Sequence, residues 1–185
     1  MHILVSGPQG SGKSTQAKLI AKKLNLNFLD SGAMLRESSE TEMGMKAKEY
    51  MDRGEYVPEE IYFQIIKEYV KNRCDANKGF VFTGFPRTVD QIPFMEEELN
   101  IKLDKVFNLI VSPDEYMKRI QKRVDLEHRS DEAPEAVLKR LSEHDLKTGP
   151  VIEYFKAKGI VEDVDGERSI EEIFLDIMNR LKEVK

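Results

Sequence analysis

The chain has 185 residues, of which 40% are apolar and 34% are charged. This length suits one domain with a single core, and the composition is that of a globular protein rather than a disordered chain or a membrane protein. The formal net charge of −5 argues against a nucleic-acid binder, although a local arginine cluster can still form a positive pocket.

The cysteine content and the first residues further limit the possible classes of protein. Cys74 is the only cysteine, so the chain cannot form an intramolecular disulfide and has no cysteine pair for zinc. The apolar start at residues 1–6 is too short, and too soon followed by glycine, for a secretory signal or a membrane span. We therefore expect a cytoplasmic protein without membrane contact. The sequence does not specify an oligomeric state, and a monomer is the expectation.

Short apolar runs alternate with longer amphipathic stretches, as in parallel strands joined by crossover helices. The predicted strands are residues 3–6, 27–30, 80–83, 106–111 and 160–164. The predicted helices are residues 13–24, 43–53, 59–73, 89–99, 114–123, 135–148, 151–158 and 170–182. The pattern predicts an α/β fold of three layers, with a five-stranded parallel sheet flanked by helices.

Two segments do not match this sheet-and-crossover pattern. Residues 31–73 place two predicted helices in one crossover, and residues 124–133 are short, polar and rich in charge. Both are predicted to be mobile flaps over a site. The chain is thus predicted to be one domain with a core of residues 1–30, 74–123 and 134–185.

Residues 7–14 read GPQGSGKS, a G-x-x-x-x-G-K-S loop whose backbone N–H groups surround phosphate oxygens. A predicted strand precedes the loop and a predicted helix follows it, which aims the helix N-terminus at the anion. In this pattern Lys13 reaches the β- and γ-phosphates, and the Ser14 hydroxyl meets magnesium, although Ser14 could instead be a plain helix-start residue. The loop predicts a P-loop NTPase fold. It does not choose between a kinase, a GTPase, an assembly ATPase and a transporter subunit.

Arginines mark where a second ligand would bind. Arg87 follows the third predicted strand, at the carboxyl end of the sheet where open α/β proteins bind ligands, although a loop salt bridge would also explain it. Arg119 and Arg123 share a helix face that could be merely solvated, and Arg129 and Arg140 flank the end of the second flap. Together these last four predict guanidinium groups that close on a phosphoryl group transferred between two nucleotides. No general base is needed if the nucleophile is an ionised phosphate oxygen.

At this point the sequence resembles the adenylate kinase family of nucleoside monophosphate kinases, and in particular its short-lid branch. The motifs are GPQGSGKSTQA at 7–17, SGAMLR at 31–36, GFPRTVDQ at 84–91 and the spacing of the four later arginines. The resemblance implies transfer of the γ-phosphoryl group of MgATP to AMP, giving two ADP. The predicted short lid has no cysteine, so the zinc of longer lids is not expected.

The resemblance also implies a role for each matching residue. The implied catalytic residues are Lys13, Arg87, Arg123, Arg129 and Arg140. The implied ATP-binding residues are Gly10, Ser11, Gly12, Lys13, Ser14, Thr15, Arg119 and Arg123, with Arg119 stacked on the adenine. The implied AMP-binding residues are Ser31, Gly32, Arg36, Val57, Gly84, Arg87, Gln91, Arg129 and Arg140. Arg36 and Arg87 would hold the acceptor phosphate.

The acceptor base is predicted from two side chains. The Gln91 amide can donate to and accept from an adenine edge, and Ser31 offers a hydroxyl where pyrimidine-preferring relatives tend to have alanine. These residues favour AMP, with UMP or CMP as the alternative. Gln91 could instead be an exposed helix residue, and Val57 could equally be part of a turn packed beneath the flap.

Two departures from the family concern magnesium. Aspartates that the family usually keeps near the metal are replaced by Ala33 and Thr83, so coordination must be weaker or organised differently. We predict that Ser14, the phosphates and water carry most of it, with Thr83 adding a hydrogen bond, whereas the sequence cannot place Asp30 or Asp90. The departures leave open a nucleotide-binding protein with impaired catalysis. An ATPase without an acceptor is a third alternative.

Overall fold

The computed structural model describes residues 1–127 and 144–182, with side chains described for 1–122 and 146–182. The strands are β1 (His2–Ser6), β2 (Asn27–Asp30), β3 (Phe80–Thr83), β4 (Lys105–Ile110) and β5 (Val161–Asp165). The helices within the described ranges are α1 (Lys13–Leu24), α2 (Ser31–Glu37), α3 (Glu42–Asp52), α4 (Glu59–Arg73), α5 (Gln91–Pro93), α6 (Pro113–Glu127), α7 (Gly149–Ala157) and α8 (Ile170–Lys182). π-Helical turns span Phe94–Glu98 and His144–Thr148.

The five strands form one parallel sheet in the order β2-β3-β1-β4-β5, which confirms the predicted fold class. The central strand β1 pairs Leu4 with Phe82 of β3 on one side and with Val106 of β4 on the other. The chain therefore leaves β1 at the point where the strand order reverses. In open α/β sheets, ligands bind at this point, beyond the carboxyl ends of the strands.

Both faces of the sheet are buried, because alternate side chains along each strand point to opposite faces. Ile3 and Val5 pack in the core with α1 and α8, whereas Leu4 packs in a second core with α4 and α7. The second core also includes residues of the segment between β2 and β3. This segment is consequently attached to the carboxyl end of the sheet by apolar packing.

The structure corrects the prediction that residues 31–73 contain two helices, because it shows three. The additional helix, α2, is only seven residues long, which is too short to show a helical repeat of apolar residues. Its start is set by a cap: the backbone N–H of Ala33 donates to Asp30 Oδ1 at 2.9 Å.

Two further boundaries differ from the sequence prediction. The helix predicted over 89–99 is divided between α5 and the π-helical turn Phe94–Glu98, where Pro93 cannot donate to the helical ladder. Helix α6 continues to Glu127, beyond the predicted start of the lid at 124. Most of the helix predicted over 135–148 lies outside the described residues. Within residues 1–127 and 144–182, no helix combines the length and the apolar character that crossing a bilayer would demand.

Candidate active site

The glycine-rich loop connects β1 to α1 at the carboxyl end of the sheet. Gly12, the residue before α1, has a φ of 85°, and the next turn begins with a hydrogen bond from Gln16 N to Gly12 O at 3.1 Å. Lys13 Nζ donates across the loop to Pro8 O at 2.9 Å. The loop thus presents the N-terminus of a 12-residue helix and an ammonium group to the same space, a combination that favours a phosphate.

Helix α6 lies directly against the tip of this loop. A Cβ atom built at Gly10 would lie 3.1 Å from Tyr116 O and 3.7 Å from Arg119 Cβ. The Arg119 guanidinium donates to Glu115 Oε1 and to the carbonyl oxygen of Gly166, both at 2.8 Å. The Arg119 guanidinium is therefore held beside the loop by two hydrogen bonds rather than extended into solvent. This position is compatible with the predicted contact between Arg119 and the donor base.

A cleft opens beyond the carboxyl ends of β1, β2 and β3 and brings most of the predicted residues together. The predicted residues that line it are Lys13, Ser14, Ser31, Gly32, Arg36, Val57, Gly84, Arg87 and Gln91. Four others, Gly10, Ser11, Gly12 and Thr15, belong to the loop and the first turn of α1. Arg123 lies in α6, and Arg129 and Arg140 lie outside the described residues.

Arg87 is held in the cleft wall by the loop that follows β3. Arg87 Nε donates to Gly84 O at 2.7 Å, and its backbone N–H donates to Gln91 Oε1 at 2.7 Å. The Thr148 hydroxyl donates to Arg87 O at 3.3 Å, which connects the start of α7 to the same loop. Arg87 is thus held by its backbone and its Nε, and its side chain lines the cleft.

Gly84 occupies a position that only glycine suits. Its φ is 73°, and a Cβ atom there would lie 2.8 Å from Arg87 Nη2 and 3.3 Å from Ser31 Cβ. We expect Gly84→Ala to displace the Arg87 guanidinium and to lower the free energy of unfolding by about 1–3 kcal/mol, measured by denaturant unfolding.

The matched control is Gly149→Ala, because a Cβ atom at Gly149 meets no described atom within 4 Å and needs no left-handed backbone. Equal destabilisation by the two alanine variants would contradict the steric role assigned to Gly84.

Asp30 and Arg36 face each other at the start of α2. A Cβ atom at Gly32 would lie 3.4 Å from both Asp30 Oδ1 and Arg36 Nη1, so glycine lets the two charged groups approach. Burial alone would raise the pKa of Asp30. The neighbouring Ser14 hydroxyl, the Ala33 N–H and the Lys13 and Arg36 charges outweigh that effect and lower the pKa, so this carboxylate is ionised at neutral pH.

The turn before α4 closes the outer side of the cleft. Val57 is 9% exposed, packs in the core and also lines the cleft, so both predicted roles of this residue are compatible with its position. The Tyr56 ring lies close to two cations, with Arg87 Cζ 5.6 Å and Lys147 Nζ 4.3 Å from its centroid. Thr88 Oγ1 donates to Glu59 Oε1 at 2.8 Å and connects the Arg87 loop to α4.

Three hydroxyl groups that line the cleft are buried, and none has a hydrogen-bond partner in the described part of the chain. They belong to Ser31, Tyr62 and Thr83. The sequence analysis missed Tyr62 and Thr148. The available signal for Tyr62 was its place on the apolar face of α4 with Ile65 and Ile66, where a polar-tipped aromatic residue reaches the end of the sheet.

The loop, the strand order and the cationic cleft define a P-loop protein that handles phosphorylated ligands. Residues 5–160 match the family model described as adenylate kinase. The chain is 37% identical to the adenylate kinase of Archaeoglobus fulgidus, over 100% of both chains. It is 39% identical to that of Leptospira biflexa serovar Patoc, over 97% of this chain and 99% of the relative. The chain belongs to the adenylate kinase family and is a phosphotransferase.

Proposed function

We propose that this chain catalyses the reversible transfer of the γ-phosphoryl group of MgATP to AMP, giving two molecules of ADP. The observation that carries the proposal is that Lys13 of the phosphate-binding loop lines the same cleft as Arg36 and Arg87. A protein that only hydrolyses ATP needs Lys13 for the ATP phosphates but does not need Arg36 and Arg87 for an acceptor phosphate. Two phosphorylated ligands that meet in one cleft account for both sets.

The proposed reaction requires mainly that the two phosphates are correctly positioned and that positive charge surrounds the transferred group. Phosphoryl transfer develops negative charge on the oxygens of the moving group, and fixed cations stabilise that charge as it forms. The acceptor phosphate is already ionised at neutral pH, so its oxygen attacks without a general base. Lys13 would act on the donor phosphates and Arg87 on the acceptor. Arg123, Arg129 and Arg140 are proposed to surround the transferred group, and Arg119 to contact the donor base.

The decisive experiment mixes ATP, AMP and Mg²⁺ with the protein and measures ADP, with parallel reactions that omit AMP or replace it by UMP or CMP. Two ADP per AMP consumed, with the highest kcat/KM for AMP, is the expected result. Phosphate release without any acceptor would indicate an ATPase. Faster use of CMP or UMP would reassign the acceptor, and a lack of turnover at high enzyme concentration would indicate a binding protein.

Magnesium, which the family reaction implies, fits the donor side of the cleft. When bound, it would offset the negative charge of the ATP phosphates. Ser14 and Asp30 line the cleft and lie close to each other, and Thr83 adds a buried hydroxyl without a described partner. Asp90 is exposed and does not line the cleft. We therefore propose that Ser14 binds the metal while Asp30 and Thr83 hold its water molecules.

Ser14→Ala is expected to raise the Mg²⁺ concentration for half-maximal activity about tenfold, the loss of one favourable ligand contact. Calorimetry without turnover should show weaker binding of MgATP and little change for ATP in the presence of a chelator. Ser39→Ala, which removes a hydroxyl that does not line the cleft, serves as the control. An unchanged magnesium dependence in Ser14→Ala would remove Ser14 from the metal site.

The proposed reaction requires two nucleotides to be enclosed, which suits a core with two attached segments. We propose that residues 31–73 form the acceptor flap and residues 124–133 a short lid, within a single domain. The insertion of α2, α3 and α4 between adjacent strands β2 and β3 supports the first assignment. The protein is proposed to act as a cytoplasmic monomer on ATP, AMP and ADP.

A further inference from the structure

The ring of Tyr56 lies where three segments that are distant in the sequence meet. Arg87 Cζ lies over this ring at 5.6 Å from its centroid, and Lys147 Nζ lies over it at 4.3 Å. In the described part of the chain, no other ring has two cations over it. Tyr56 also lines the cleft, whereas Lys147 does not. The ring thus gathers two positive side chains at the edge of the cleft, because its negative face attracts cations.

The backbone on both sides of Tyr56 is fixed by local contacts. In the turn after α3, Gly54 has a φ of 70°, and the backbone N–H of Glu55 donates to Tyr50 O at 2.9 Å. On the other side, Val57 is buried in the core to which α4 contributes. The ring is therefore positioned by the segment between β2 and β3, whereas both cations come from outside that segment.

The other contacts of Arg87 fix its backbone and one edge of its guanidinium. The backbone N–H donates to Oε1 of Gln91, which is 4% exposed and so is not the exposed helix residue that the sequence left open. Nε donates to Gly84 O at 2.7 Å, and a single bond of this kind still allows the guanidinium to rotate about it. Guanidinium groups stack on aromatic faces, so the Tyr56 ring supplies a second restraint on the same group.

Lys147 reaches the ring from the π-helical turn that precedes α7. The next residue, Thr148, lines the cleft and donates its hydroxyl to Arg87 O at 3.3 Å, which connects the two cationic segments. Arg87 and Lys147 carry like charges, so gathering them at one place costs electrostatic energy. A carboxylate would offset this cost but would repel an anionic ligand, whereas a ring face attracts both cations without adding a full negative charge.

We propose that Tyr56 is a positioning residue for the acceptor phosphate, whose ring face holds the Arg87 guanidinium and the Lys147 ammonium beside the cleft. Arg87 would then present its terminal nitrogens to the phosphate in one orientation, and Lys147 would add positive potential at the edge of the cleft. Because Tyr56 belongs to the proposed acceptor flap, the contact also joins the flap to the core. This inference rests on the proposed function, because it requires an acceptor phosphate in this cleft.

The test compares the unaltered chain with Tyr56→Phe, Tyr56→Leu and a protein that carries a trifluorinated phenylalanine at position 56. We would measure kcat, the KM for AMP and for ATP, and the dissociation constant of AMP by calorimetry without ATP. Tyr56→Leu is expected to raise both AMP constants about tenfold, the scale of a cation–π contact, and to change kcat and the KM for ATP by less than about twofold. Tyr56→Phe should resemble the unaltered chain. The fluorinated ring should resemble leucine, because fluorine withdraws electrons from the ring face.

Lys147→Met tests the second cation in two backgrounds. With tyrosine at position 56, it is expected to raise the dissociation constant of AMP about threefold, the effect of one nearby charge. In the Tyr56→Leu background it should have little effect, because the ring that holds the ammonium beside the cleft is absent. Equal effects in the two backgrounds would overturn the inference.

The matched control is Tyr69→Leu, because Arg73 Cζ lies over the Tyr69 ring at 5.8 Å but this ring does not line the cleft. It should leave the AMP constants unchanged. Equal losses with leucine, phenylalanine and the fluorinated ring, or equal losses for AMP and ATP, would show a merely structural role and overturn the inference. Normal ADP formation with unchanged AMP constants in Tyr56→Leu would overturn the inference and leave the proposed function supported. A chain that forms no ADP but binds AMP with the expected order of affinities would contradict only the proposed function.

Discussion

Replacing Lys13 by methionine should reduce the rate of ADP formation from ATP and AMP by about a thousandfold, the scale of a lost transition-state charge contact. The Lys13 ammonium is held across the glycine-rich loop by its 2.9 Å hydrogen bond to Pro8 O, at the N-terminus of α1. Methionine keeps much of the side-chain length but removes the charge, so charge on the transferred group would be less stabilised. A coupled assay under saturating ATP and AMP measures the effect on kcat.

Lys18→Met is the matched control, because Lys18 is exposed on the same helix and does not line the cleft. The control should keep the parent rate, and both variants should keep the parent unfolding temperature. A Lys13→Met protein with more than a tenth of the parent kcat would contradict the assignment of Lys13 to the transferred phosphates.

Replacing Arg87 by lysine should lower kcat/KM for AMP about a hundredfold, although the positive charge is retained. Arg87 Nε donates to Gly84 O at 2.7 Å, so the proposed contact with the acceptor phosphate would use the terminal nitrogens. Lysine has a single ammonium group, which cannot make the anchoring bond and a two-point phosphate contact together. Steady-state kinetics with varied AMP, and separately with varied ATP, should locate the loss on the acceptor side.

Arg73→Lys tests whether any arginine replacement has this effect, since Arg73 is exposed at the end of α4 and pairs with Glu37. It should leave both Michaelis constants unchanged. If Arg87→Lys raised the Michaelis constant for ATP as much as that for AMP, the division of the cleft into donor and acceptor sides would be wrong.

The fold could be predicted almost entirely from local patterns. The strands at 27–30 and 80–83 and the helices at 13–24, 59–73 and 170–182 have the predicted bounds. These elements have strong apolar repeats and clear ends, such as the glycine before α1. Helix α2 was missed because its stability comes from the Asp30 cap and from packing of Met34 and Leu35, which a seven-residue pattern does not reveal.

The residues of the candidate site that belong to sequence motifs were predicted. Residues whose position depends on how the helices pack were missed. Lys13, Arg36 and Arg87 lie in the segments that follow β1, β2 and β3, and parallel strands bring those carboxyl ends to one edge of the sheet. Tyr62 comes from the middle of a helix, so its position depends on how α4 packs on the sheet. The choice between Asp30 and Asp90 as a carboxylate near Ser14 likewise required the pairing of β2 with β3, which sets Asp30 opposite Thr83.

The hydrogen bond from the Arg87 backbone N–H to the Gln91 side chain joins the two ends of a short segment of the proposed acceptor site. The guanidinium that would hold the phosphate and the amide that would read the base belong to one short segment, braced internally at 2.7 Å. Both partners of this hydrogen bond lie outside residues 31–73, so movement of the proposed flap does not require it to break. If the acceptor phosphate binds Arg87 and the acceptor base binds Gln91 as proposed, both ends of the acceptor nucleotide would contact one braced segment rather than two parts that move separately.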